Sequence, residues 1–219
     1  MLDLYLSEGL VVHANYNGHR NKLDAYNKKL DIHKFNMERG DYDEFIGTLD
    51  SSDEIDVVLM DMPGQILPEF IKFERDTCLL EGLYSIGYRV VFLNPISYRQ
   101  DCLYYLKQLI EEFKGSADYV IVKNECFGKN FPYFDVDIQS NITSFDGIIM
   151  QLPALSKFVY SRLEEAACIY SDGAAKKTDA EISKKLGVVE RSLIFNWLHK
   201  FRKNIYSDKN LLKYFGLAI

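Results

Sequence analysis

The chain has 219 residues, of which 47% are apolar and 26% charged, with a formal net charge of −6. That length suits one α/β domain with a small addition, and the acidic balance argues against a protein that coats nucleic acid. No run of about 18 apolar residues marks a membrane span, and the first eight residues lack the basic segment of a secretory leader.

Residues 1–8 read as the end of a helix closed by Gly9. Residues 10–14 form a short apolar strand that stops at Asn15-Tyr16-Asn17-Gly18. Residues 20–29 are polar and helical in character. Asp41-Tyr42-Asp43-Glu44 resembles a capping box opening a helix through about residue 50. Residues 56–64 read Asp-Val-Val-Leu-Met-Asp-Met-Pro-Gly, an apolar run that suits a strand buried on both faces of a parallel sheet, with Asp61 at its tip. The spacing of Ile66, Leu67, Phe70, Phe73, Leu79, Leu80 and Leu83 predicts one long helix over 66–86.

Residues 89–94 form the next strand, closed by Pro95, and 98–114 an amphipathic helix with Leu103, Leu106, Leu109, Ile110 and Phe113 on one side. A strand at 119–124 follows. The irregular, aromatic-rich stretch 125–145 has the length of a functional loop. A last strand covers 147–153 and a helix 155–168. Strands alternating with helices predict an α/β fold, a doubly wound, mostly parallel sheet with right-handed crossovers over residues 1–170. From Ser171 the character changes: Thr178 caps a helix to Leu186 and a second helix covers 190–205, so 171–219 reads as a helical C-terminal appendage. The four scattered cysteines, Cys78, Cys102, Cys126 and Cys168, form no CxxC pair and read as reduced, mostly buried thiols of a cytoplasmic protein.

Open parallel sheets bind ligands in the crevice outside the carboxyl ends of their strands. Those ends present Asn15, Asn17, Asp61 with Pro63 and Gly64, Asn94, Asn124 and Pro153. Each has a plain structural reading too, because Asn and Asp cap helices and terminate strands. An Asp at a strand tip before a Pro-Gly turn suits Mg²⁺-nucleotide chemistry. Yet no glycine-rich loop with Lys-Ser or Lys-Thr is present to hold a phosphate. His13 reads as packed in its strand, while His19, His33 and His199 show no metal spacing. No nucleophile elbow occurs and no Ser/His/Asp set can be assembled. Tyr98, Tyr104, Tyr105, Tyr133 and Phe134 read first as core and second as a partner surface.

Residues 57–64, the Val-Lys-Asn124 strand end and the Gln151-Leu152-Pro153-Ala154-Leu155 segment together resemble the ParA/MinD-type ATPases. The closest resemblance is to the plasmid partition and conjugal-transfer branch, the TraL, MobD and StbB-like proteins. The similarity runs from Leu2 to about Phe201 and includes the helix from Glu190 to Trp197. It implies a P-loop NTPase-like fold, ATP and Mg²⁺ as cofactors, and a nucleotide-switched homodimer that positions DNA, a relaxase or a partition complex. By position, Asp61 would orient Mg²⁺ through water, and the amide of Gly64 would sense the terminal phosphate. Asn124 would read the adenine edge and Pro153 would wall the base. Asn15 and Asn17 fall where the family carries aspartates that help activate the attacking water.

Two departures matter. The family's first strand and its Gly-Gly-Val-Gly-Lys-Ser/Thr loop precede the helix that here begins at Met1, and Asn15 and Asn17 remove the expected negative charge. The chain then reads either as a frame that starts at an internal methionine or as a degenerate relative, with its ATP switch impaired. The missing strand is central in the family. Its loss leaves buried backbone groups unpaired, at about 1–3 kcal/mol each, unless another segment fills the gap.

A second class of function rests on residues 178–192, whose Ala-Glu-Ile-x-x-x-Leu-Gly-Val pattern resembles a helix-turn-helix, with Arg191 and Lys200 as DNA contacts. Against it, Leu193, Ile194, Trp197, Leu198 and Phe201 make the second helix apolar enough to pack on the sheet domain. The basic residues of the last third read equally as a solvated face.

Overall fold

The computed structural model describes residues 1–18, 23–52, 54–137, 147–175 and 180–217, with the backbone alone at 135–137. Its strands are β1 (Val12–Tyr16), β2 (Ile32–Lys34), β3 (Val57–Asp61), β4 (Val91–Ile96), β5 (Asp118–Asn124) and β6 (Ile148–Leu152). All pair in parallel, in two three-stranded sheets ordered β2-β1-β3 and β4-β5-β6. The helices are α1 (Leu2–Ser7), α2 (Arg39–Asp50), α3 (Leu67–Thr77), α4 (Leu79–Ser85), α5 (Gln100–Phe113), α6 (Pro132–Asp137), α7 (Lys157–Ala166), α8 (Tyr170–Ala174), α9 (Ala180–Lys185), α10 (Val188–Tyr206) and α11 (Lys209–Tyr214). The class is therefore α/β with parallel sheets. No helix among the described residues is long and apolar enough to cross a membrane.

Strand side chains alternate between two cores, as a period of two requires. Val58, Met60, Phe92 and Ile121 face a core built by α2, α3, α4 and α5 through residues such as Phe45, Phe73, Leu80 and Leu106. Val57, Leu59, Val91, Val120 and Met150 face the opposite core, which holds Leu4 and Tyr5 of α1, Phe201 and Ile205 of α10, and Leu212 of α11. A third cluster joins α7, α9 and α10 through Val159, Leu163, Leu186, Ile194 and Leu198.

The single sheet read from the sequence is in fact two. No hydrogen bond joins β3 to β4, and each pairs on one side alone. Both cores nevertheless run across the two sheets, so β3 and β4 lie in one layer with a break between them. Near their amino ends the Tyr88 hydroxyl donates to the Ile55 carbonyl at 3.3 Å.

Several local expectations are corrected. The helix over 66–86 is two helices, because Cys78 takes the left-handed conformation at φ 52°. Glu74 then accepts from the Leu80 amide at 3.1 Å, covering the start of α4. Helix α2 begins at Arg39, and the Asp41 carboxylate ties down the Asn36 amide at 2.6 Å instead of opening the helix. Residues 24–26 form a short 3₁₀ turn, and β2 was not foreseen. Strand β1 continues to Tyr16 and β4 to Ile96, which places Asn15, Asn94 and Pro95 inside strands. The stretch 125–145 contains a 3₁₀ turn at Glu125–Phe127 and helix α6; residues 138–146, His19 and the Thr178 cap lie outside the described residues. Cys78, between α3 and α4, and Cys126, within the 3₁₀ turn, are exposed, Cys102 is half-buried, and Cys168 alone of the four is buried.

Candidate functional site

At the carboxyl rim of the first sheet, the Asn17 amide donates to the Asp61 carbonyl at 2.9 Å. The Asn17 side-chain amide donates to the Phe35 carbonyl at 2.8 Å. One residue thus fastens the tips of β1, β2 and β3 together. Gly18 follows at φ 138°, with the Pro63 ring in van der Waals range of any added Cβ. The Asp61 carboxylate has no hydrogen bond or ion pair among the described residues. Gly64 is exposed in a turn closed by the Ile66 amide on the Pro63 carbonyl at 3.3 Å.

Beside this junction lies a crevice of about 730 Å³ between the tips of β1 and β2 and helix α3. Lys34, Arg39 and Lys72 line it together with Glu38, Glu69 and Asp76, so its charges balance. Arg39 is already paired with Asp43 at 3.0 Å.

Asn15 does not reach this rim. It is 2% exposed inside β1, and its side-chain nitrogen has no partner among the described residues. Two residues before it, His13 stacks on His33 of β2 with ring centroids 4.7 Å apart. Burial pushes the His13 pKa down, the His33 charge adds to this, and a hydrogen bond with Asn15 opposes it. His13 is packed, as its place in a strand implied.

On the second sheet Asn124 stands opposite Leu152 in the ladder, which brings Asn124 and Pro153 to one corner. Both hold structure there. The Asn124 side-chain oxygen accepts from the Cys126 amide at 3.0 Å, capping the 3₁₀ turn. The Pro153 carbonyl accepts from the Trp197 indole at 2.6 Å. Trp197 in turn stacks on Tyr170 at 4.9 Å and on Phe201 at 5.7 Å. Above this corner Phe127 is 59% exposed, with the Lys157 ammonium 5.7 Å from its ring. Of the other aromatics considered, Phe134 is core while Tyr98, Tyr104 and Tyr133 face solvent. The Tyr105 hydroxyl accepts from the Leu67 amide.

In the last third, α9 and α10 meet at Leu186-Gly187, with Leu186 and Ile194 fully buried between them. Ile194, Leu198, Phe201 and Ile205 point inward, so α10 packs as its composition suggested. Leu193 points outward with Val188, Val189, Ser192 and Lys200, while Arg191 is half-buried.

Sequence reasoning missed Asp3. Its carboxylate is buried and accepts from the Tyr26 hydroxyl at 2.7 Å, the Tyr170 amide at 3.1 Å and the Ser171 amide at 3.0 Å. It joins α1 to the start of α8, 167 residues away in sequence. An acid in the first turn of a helix ordinarily reads as dipole complementation, so nothing local advertised this role.

The fit of Mg²⁺ and ATP to these residues divides. Mg²⁺ needs one or two carboxylates, completed by phosphate oxygens and water, and Asp61 offers one. No group of three His, Cys, Asp or Glu side chains among the described residues could hold a metal alone. A triphosphate needs a cradle of amides with a lysine, and the sequence has no such loop. The residues present fit one metal ligand and do not fit the phosphate chain. No family model, curated protein or solved structure matches this chain.

Proposed function

We propose that this is a ParA/MinD-like protein of a mobile element, acting in plasmid partition, stability or conjugal transfer, with its ATP switch impaired in this chain. The observation that carries the reading is the junction of Asn17 and Asp61, which sets a carboxylate with no partner among the described residues at the tips of two parallel strands. That is where α/β proteins of this class bind nucleotide and sense its state. The impairment follows from the same residues. Asn17 is engaged with Phe35, Asn15 is enclosed, and neither brings a negative charge to an attacking water. Partner binding, as a homodimer or with a relaxase or partition protein, is then the retained activity.

Calorimetric titration with Mg²⁺-ATP and a phosphate-release assay test this, on the chain and on Asp61→Ala. The expected result is no hydrolysis above the blank, with any Mg²⁺-dependent nucleotide binding lost in Asp61→Ala. Hydrolysis above the blank, or nucleotide dependence that survives Asp61→Ala, overturns the reading.

A second reading has its own observation. The outward face of α10, following the Gly187 turn, presents Val188, Val189, Ser192 and Lys200 to solvent. A nucleotide-independent adaptor or DNA-binding accessory would use that face in the manner of a recognition helix. DNA retention at low salt should then fall in an Arg191→Ala, Lys200→Ala double variant, with a shallower salt dependence. Unchanged retention removes this reading.

A further inference from the structure

We propose that the groove between α8 and α10 is a binding site for a small aryl monocarboxylate, a single carboxylate carried on a flat apolar tail. The groove holds about 270 Å³ and shares no residue with the crevice beside Asn17.

Arg202 supplies the charge. Phe195, His199 and Arg202 follow one another at i, i+4 and i+7, so they form one stripe of α10 along the groove. The Arg202 Nε is buried and makes no hydrogen bond among the described residues. Buried polar groups are nearly always paired, so an orphaned guanidinium nitrogen on the wall of a cavity calls for an acceptor from outside the fold. Two acids of the surrounding helices are engaged elsewhere. Glu8 of α1 accepts from the Tyr206 hydroxyl, and Asp172 of α8 pairs with Lys29 at 3.5 Å. A guanidinium presents Nε and one Nη side by side, a spacing that the two oxygens of a carboxylate match.

The other walls choose among anions. Among the described residues, Arg202 is the one arginine or lysine that lines the groove. His199, one turn before it, adds a ring N–H donor. A single fixed cation balances a single negative charge, whereas a phosphate dianion is ordinarily met by several amides or cations. Ala174 on one side and Leu198 with Phe195 on the other make the rest of the lining apolar. Phe195 is 53% exposed, and its ring can cover a flat tail laid against Ala174.

Both walls are fixed before any ligand arrives. A Cβ at Gly173 would fall 2.7 Å from the Leu163 side chain and 3.3 Å from that of Ile194, so the glycine lets α8 sit close on α10. Asp3 accepts from the Tyr170 and Ser171 amides at 3.1 and 3.0 Å, which holds the first turn of α8. Trp197 stacks on Tyr170 at 4.9 Å and ties α10 to that turn. Walls that need no ordering spend less free energy on binding.

Calorimetric titration of the chain with phenylacetate tests the proposal. One saturable site is expected, with a Kd of about 1 mM or below. Acetate keeps the charge without the tail and 2-phenylethanol keeps the tail without the charge; each should bind at least about tenfold more weakly. Arg202→Gln should weaken phenylacetate by about tenfold or more. Phe195→Ala, at an exposed position, should weaken it about threefold. Phenylacetate that shows no binding up to about 10 mM, or that binds Arg202→Gln and the parent equally, overturns the site. Inorganic phosphate that binds as tightly as phenylacetate, and is lost in Arg202→Gln, overturns the choice of a monocarboxylate. Should Arg202→Gln fail to fold, the ligand series on the parent and Phe195→Ala decide: equal affinities across either overturn the site.

Discussion

The main-chain N–H of Asn17 donates to the carbonyl of Asp61 at 2.9 Å, and the Asn17 side chain reaches the opposite way to the Phe35 carbonyl at 2.8 Å. Asn17 is a clamp across three strand tips before it is anything else. Placing a carboxylate at this position illustrates the difference. Asn17→Ala loses one hydrogen bond and should cost about 1 kcal/mol. Asn17→Asp sets a carboxylate against the Phe35 carbonyl, two acceptors with no proton between them, and should cost more, about 2–3 kcal/mol. Urea unfolding of both variants at pH 7.5 checks the order; Asn17→Asp as stable as the parent would show that the clamp carries no weight.

Asp3 should be the most sensitive acid in the chain. Removing its side chain leaves the Tyr170 and Ser171 amides and the Tyr26 hydroxyl without their acceptor inside the fold. Asp3→Ala should lower stability by about 3 kcal/mol or more. Asp3→Asn retains one acceptor oxygen and should lose less. Chemical denaturation midpoints separate the two.

Much of the fold could be read in the sequence because its signals are local and repeated. Apolar-rich runs within 10–14, 57–60, 89–94, 119–124 and 147–153 marked five of the six strands, and apolar periodicity such as that of α5 marked most helices. The breaks were hidden where the deciding residue is atypical. Cys78 adopts a left-handed conformation that glycine usually takes, and the three-residue β2 has no room to show alternation. The rim was legible in outline, since Asn17, Asp61 and Pro63 do meet. What the sequence hid were the competing bonds. Asn124 and Pro153 are held by Cys126 and Trp197, and Asn15 lies inside its strand, one residue before its end at Tyr16.

Trp197 joins the last third of the chain to the end of β6. Trp197→Phe keeps a ring for Tyr170 and Phe201 but leaves the Pro153 carbonyl without its donor, at a cost of about 1–2 kcal/mol. Trp197→Ala also opens a cavity and should cost about 3–5 kcal/mol. Thermal unfolding of the two variants distinguishes bond from packing.

His13 makes stability depend on pH. Its pKa is lowered in the folded chain by burial and by His33, whereas the unfolded chain titrates near 6.5. As pH falls below about 6.5, the unfolded state binds a proton that folded His13 resists, so stability is lost toward acid; above that pH both states are neutral and the effect vanishes. The urea midpoint should drop between pH 7.5 and 5.5 by less in His13→Phe than in the parent. An equal drop would remove His13 from the account.

The most direct test of the split layer is native-state hydrogen exchange on the unmodified chain. Peptides covering β3 and the start of β4 should exchange faster than the peptide over Tyr119–Val122, because alternate amides of β3 and β4 face the break. Equal and strong protection across all three strands would mean that the two sheets are joined in solution, and would contradict the architecture from which the site was built.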